Sequence, residues 1–168
     1  MLACKIKDIK SFTGKLLIKE DFDKFAVSEV VIMTYNSFIV DGHLRKEHFS
    51  DEEWEAMRGE RFSLWETIKP FCFQAIKGKK TPESFKIVLL LSETEKNAFF
   101  DKLDEKPANI TAANINGLFL NIKYENGELY ITTGTSLSIF VIDKTLDNAW
   151  AAYVKKFLDD REIDFEEV

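Results

Sequence analysis

The sequence predicts an α+β fold, a mostly antiparallel sheet with helices on one face. Three observations predict it. Runs rich in Val, Ile, Leu and Phe are separated by Asn-Ser, Asp-Gly and Asn-Gly pairs, the dipeptides that turn one strand into the next. Between these runs lie segments whose apolar residues recur at helical spacing, several opened by Ser or Asp at a cap position. No linker or low-complexity stretch interrupts the pattern, and 168 residues suit one domain, so a single domain 1–168 is expected.

The elements follow in order. Leu2–Ile6 reads as a strand. Asp8 caps a helix over 8–19, with Ile9, Phe12, Leu16 and Leu17 on one side. Val27–Tyr35 is a β-branched strand, Asn36-Ser37 breaks it, Phe38–Val40 resumes it, and Asp41-Gly42 predicts a hairpin into a further strand at Leu44–Phe49. Ser50 and Glu53 form a capping-box pair, and the helix they open is expected to continue through Trp54, Met57, Phe62 and Trp65. Pro70 fits the first turn of a second helix and Gly78 its end, with Phe71, Phe73 and Ile76 burying one face. Phe85–Leu91, nearly all apolar, reads as a central strand. Ser92 caps a helix over 93–105. Leu118–Tyr124 and Glu128–Thr132 flank Asn126-Gly127, the strongest hairpin signal in the chain. Leu137–Ile142 is a further expected strand. Asp143 or Thr145 caps a last helix through Trp150, Val154, Phe157 and Leu158, and Phe165 in the acidic tail is expected to close the edge of its own sheet.

The 15 phenylalanines promise a substantial core, and Trp54, Trp65 and Trp150 have core spacing. Cys4 and Cys72 stand far apart in apolar segments, as buried reduced thiols of a cytoplasmic protein do. Lys5 and Lys7 interrupt the N-terminus before any signal-like apolar run forms. The longest apolar run, Ile87–Leu91, is far short of the ~20 residues a membrane helix needs, so no membrane association is expected. The net charge is −6: residues 1–84 hold 14 basic and 14 acidic side chains, residues 85–168 hold 9 and 15, and the tail from Asp159 onward is the acidic part. A nucleic-acid binder shows a basic patch, which makes nucleic acid a disfavoured partner.

Residues 1–84 and 85–168 repeat a similar order of elements, which makes internal duplication into two βαβββ-type halves an expectation. That element order resembles one domain of the DNA sliding clamps. The resemblance implies basic helices facing a duplex. Lys10, Lys15 and Lys19 fit that role, whereas the acids of helix 93–105 do not. A second resemblance rests on RFSLWETIKPFCFQAIKGKKTPESFKIVLLL (61–91) with TTGTS (132–136). These segments resemble an uncharacterised family of bacterial proteins of clostridial type. No activity is assigned to it, so the resemblance implies no catalytic residues.

Two segments could carry chemistry. Thr132, Thr133, Gly134, Thr135 and Ser136 read as a hydroxyl-rich turn able to cradle an anion. The loop with Lys77, Lys79 and Lys80 could supply the charge, although neither segment has P-loop spacing. Asp41, His43 and His48 offer metal-type side chains. Positions 43 and 48 point to opposite faces of a strand, so an exposed turn is the preferred reading and no metal or cofactor is expected. The functional expectation is a non-catalytic cytoplasmic module that binds another protein. The alternatives are a small-molecule anion binder or enzyme using 132–136 with 77–80, and a clamp-like nucleic-acid-associated protein. Oligomeric state is not set by the sequence.

Overall fold

A computed structural model describes residues 1–168. The elements run β1 (Ala3–Ile6), α1 (Ile9–Leu17), β2 (Ala26–Met33), β3 (Ser37–Asp41), α2 (Asp51–Ala56), α3 (Trp65–Ile76), β4 (Ser84–Leu90), α4 (Glu93–Asp101), β5 (Ile115–Glu125), β6 (Glu128–Leu137), α5 (Thr145–Asp160) and β7 (Phe165–Glu167). The strands form one seven-stranded sheet in the order β3-β2-β4-β5-β6-β1-β7. Every neighbouring pair is antiparallel.

Register sorts the side chains into two faces, since successive residues of a strand point oppositely. Val30, Ile87, Ile122, Ile131 and Cys4 form one fully buried row across five strands. The core grows on that face, where Phe12 and Leu16 of α1, Trp65 and Cys72 of α3, and Trp150, Val154 and Leu158 of α5 join it. The neighbouring row, Val31, Lys86, Lys123, Tyr130, Lys5 and Glu166, belongs to the opposite face. Lys86 and Lys123 on it are exposed. The two largest core residues are held by their polar ends as well. Trp65 Nε1 donates to the Leu16 carbonyl at 2.8 Å, and Trp150 Nε1 donates to the Phe119 carbonyl at 2.9 Å.

Local signals account for most boundaries. Asp8, Ser50 and Ser92 each accept a backbone N–H three residues on, at Ser11, Glu53 and Glu95. Asn126 and Gly127 hold φ of 54° and 77°, the pair of left-handed residues a two-residue hairpin demands. The tail does close its own sheet, with Phe165 opposite Ile6 in β7.

Several expectations fail for identifiable reasons. Asp41-Gly42 makes no hairpin. Gly42 lies flat against β2, where a Cβ would come within 1.7 Å of the Val27 carbonyl oxygen, so the glycine serves a close backbone approach. Beyond it, 46–48 form a single 3-10 turn in place of a strand. Helix α2 stops at Ala56 because Arg58 and Gly59 turn left-handed, with φ of 52° and 83°. Phe62 then runs extended against His43, and α3 begins afresh at Trp65. Pro70 sits inside α3 instead of in its first turn. Phe71 points outward at 69% exposure, while Cys72 takes the buried position. Residues 138–142 are not strand, and Phe140 is 91% exposed.

The duplication is not confirmed. Each half does run strand, helix, strand, strand, helix. In the second half β4, β5 and β6 lie side by side. In the first, β1 leaves β2 and crosses to the far side of β6. Exchanging the halves therefore does not reproduce the strand order, as a pseudo-twofold would require.

Candidate functional site

Helix α3 ends at Ile76, and Lys77 leaves it in an extended conformation with φ −66° and ψ 137°. The chain then runs through Gly78, Lys79, Lys80, Thr81 and Pro82 before entering β4. This loop stands beside α1, and between them opens a groove of about 810 Å³. The α1 side supplies Ile9, Lys10, Thr13, Leu17 and Ile18; the α3 side supplies Phe73 and Ile76. Phe85 and Tyr124, partners in the β4–β5 register, also line the groove, their rings stacked at 5.2 Å and 19°.

Charge in the groove has one sign. Lys10, Lys77, Lys79 and Lys80 line it and no acidic residue does. These four lysines also take no part in the ion pairs of the molecule, whereas Lys5, Lys69, Lys86, Lys96 and Lys155 each hold a carboxylate. Lys77 Nζ lies 5.7 Å from the Phe73 ring centroid. Ile18, at the groove, is 67% exposed. An apolar trough with several uncommitted ammonium groups along its rim can hold an anion attached to an apolar body. On its other side the same loop borders a second cleft of about 530 Å³ with Thr34, Tyr35 and Glu83.

The hydroxyl-rich segment lies elsewhere and is not a turn. Thr132 to Ser136 fall within β6, where β-branched Thr is at home, and they alternate between the faces of the sheet. Their polar groups are largely spent on the fold. Thr133 Oγ1 accepts the buried Leu2 N–H at 2.8 Å. Thr135 Oγ1 donates to Asp147 Oδ1 of α5. The Thr132 carbonyl accepts Asn121 Nδ2 at 3.5 Å. Thr133, Gly134 and Thr135 line a pocket of about 300 Å³ with Met1, Lys144, Asp147 and Trp150. Partial burial opposes ionisation of Asp147, but the Thr135 hydroxyl and the Lys144 ammonium outweigh it and hold its carboxyl below the usual range.

The structure does not bring these two segments together. The 77–82 loop precedes Ser84, which pairs with Glu125, which in turn pairs with Glu128 at the start of β6. Thr135 is seven residues further along that strand, roughly 20 Å away at about 3.3 Å per residue. The residues expected to share one site thus line two separate pockets, and the lysine groove is the larger.

The remaining candidates find structural roles. His43 Nδ1 and Asp41 Oδ1 lie 2.6 Å apart on the surface, while His48 stacks edge-on against Phe49. Cys4 and Cys72 are buried free thiols, each pushed up to about 11, chiefly by burial. One carboxylate escaped sequence reasoning. Glu60 accepts the Glu93 N–H at 2.9 Å and the Thr94 N–H at 3.1 Å, so it already fills the anion-attracting N-terminus of α4. No motif marks it, because the arm that carries it reaches α4 only through the tertiary fold. The α1 wall of the groove was marked only through Lys10, as a helix lysine of clamp type, and its apolar part was not, although Ile18 stands just past the buried stripe Phe12, Leu16 and Leu17.

No curated protein and no solved structure matches the chain. A family model does match, over residues 15–166, and it takes in the 77–82 loop, β6 and the last three residues of α1. The chain therefore belongs to the family of unknown function DUF5721.

Proposed function

We propose that this protein is a non-catalytic binding module whose ligand is an anionic group carried on an apolar body, seated in the groove between α1 and the 77–82 loop. The observation that carries the reading is the unpaired lysine set, Lys10, Lys77, Lys79 and Lys80, above the stacked Phe85–Tyr124 floor. Ammonium groups gathered on one rim without a carboxylate set up a local positive potential that favours an anion there. The polar side chains that face the groove are lysines, Thr13, Thr81 and Tyr124. They suit capture of a phosphate or carboxylate, and they include no imidazole or carboxylate to relay a proton at neutral pH.

The test is a thermal-shift and calorimetry series with inorganic phosphate, an alkyl phosphate, a long-chain carboxylate, a nucleoside triphosphate and a short DNA duplex. The alkyl phosphate or carboxylate should stabilise the protein in proportion to its concentration, and inorganic phosphate alone should do so far less. The stabilisation should vanish in the Lys79→Glu, Lys80→Glu double variant. If no probe raises the melting temperature, or if the double variant responds as the wild type does, the reading is wrong. Salt-sensitive binding of the duplex alone would transfer the site to nucleic acid.

A further inference from the structure

The two edges of the sheet are finished differently. β7 is three residues long, carries Glu166 and Glu167, and is tied back to α5 by the Lys155–Glu167 ion pair. β3 reads Ser37-Phe38-Ile39-Val40-Asp41 and pairs with β2 alone. It has none of the Lys, Pro or bulge devices by which natural edge strands refuse a neighbour. Ile39 is 70% exposed on it, and Tyr35, at the turn that leads in, is 87% exposed.

The free backbone groups of this edge can be assigned. Gly42 N–H donates to the Ser28 carbonyl at 2.9 Å. That makes Glu29 and Asp41 a non-hydrogen-bonded pair, and by alternation Val30–Val40 and Ile32–Phe38 exchange the bonds within the sheet. Ser37, Ile39 and Asp41 therefore turn their N–H and C=O groups outward.

We propose that β3 is a self-association edge, at which two copies of this chain pair antiparallel about a twofold axis through Ile39 and continue one sheet across both. The register argues for a second copy as the occupant. Centred on Ile39, it opposes Ser37 to the partner's Asp41 on one face and Phe38 to the partner's Val40 on the other. The strand's single charge then meets the Ser37 hydroxyl, which within the chain donates only to the weakly accepting Met33 sulfur, at 3.2 Å. Asp41 Oδ2 is free to accept, because both bonds between Asp41 and His43 use Oδ1. A register centred on Asp41 would set carboxylate against carboxylate, which is destabilising across strands. This inference is independent of the lysine groove.

Sedimentation velocity from micromolar to near-millimolar protein tests it. A concentration-dependent dimer is expected. Ser37→Asp should weaken it about tenfold or more by opposing like charges, and Ser37→Lys should strengthen it. The opposite signs separate an interface effect from loss of folding, as does an unchanged melting temperature at high dilution. Ile39→Cys should give an interchain disulfide on mild oxidation, because a hydrogen-bonded antiparallel pair sits at about 5.5 Å between Cα atoms, within disulfide reach. The native thiols are both buried and do not compete. A monomer at every concentration overturns the proposal. So does a dimer indifferent to substitution at Ser37 and Ile39, or one that pairs with no Ile39→Cys crosslink.

Discussion

The loop Lys77–Lys80 and the strand segment Thr132–Ser136 were equally suggestive as sequence, and the fold treats them in opposite ways. The hydroxyls of Thr133 and Thr135 are consumed by Leu2 and Asp147, and the segment is woven into β6 between β5 and β1. The lysines have no carboxylate partner and line an apolar trough. A polar group that is satisfied at home contributes to stability. One left uncommitted beside buried apolar surface has capacity for a ligand. Two short polar segments thus separate into a structural element and a candidate site.

The largest effect expected from this contrast is on the strand side. Thr133→Val keeps the shape of the side chain and removes the acceptor of the Leu2 N–H, at a residue only 2% exposed. A buried donor without a partner costs about 1–3 kcal/mol. Urea denaturation should show that loss as a lower midpoint with an unchanged slope, while binding in the groove stays intact. A loss below about 0.5 kcal/mol would mean that Thr133 is not structurally committed.

On the loop side the effects should be reversed. The Lys79→Glu, Lys80→Glu variant should keep its stability within about 0.5 kcal/mol, since both side chains are exposed and unpaired. Affinity for the alkyl phosphate probe should fall at least tenfold, about 1.4 kcal/mol. A variant that unfolds readily would show that these lysines hold the fold, and the contrast would collapse.

How much of this was legible in the sequence depends on how local each signal is. The caps at Asp8, Ser50 and Ser92, the Asn126-Gly127 hairpin, the central β4 and the buried Trp65 and Trp150 were all readable, because each rests on a few adjacent residues. Residues 42–64 were not. Gly42 looked like a hairpin residue, yet its role is set by the Val27 carbonyl, which is remote in sequence. Thr132–Ser136 was misread as a turn because Gly134 outweighed the strand preference of three threonines. At the site, the lysines were visible and the groove was not. Its depth comes from α1 meeting the end of α3, and no single segment encodes that meeting.

The smallest expected effect concerns pH, and it bears on whether the β6 hydroxyls are truly spent. Asp147 is held below the ordinary carboxylate range by Thr135 and Lys144 against a partial burial that works the other way. A carboxylate whose folded pKa is depressed stabilises the fold above its unfolded value, near 3.9, and loses that contribution as pH falls through the folded value. In Thr135→Val the depression weakens. Wild type should therefore exceed the variant most at neutral pH, by less than about 1 kcal/mol because the pair is partly solvated, and the gap should narrow below about pH 4. Paired urea titrations at neutral and acid pH measure it. A gap that stays constant with pH would show that the Thr135 hydroxyl does not engage the ionised carboxylate, and would return it to the set of groups free to meet a ligand.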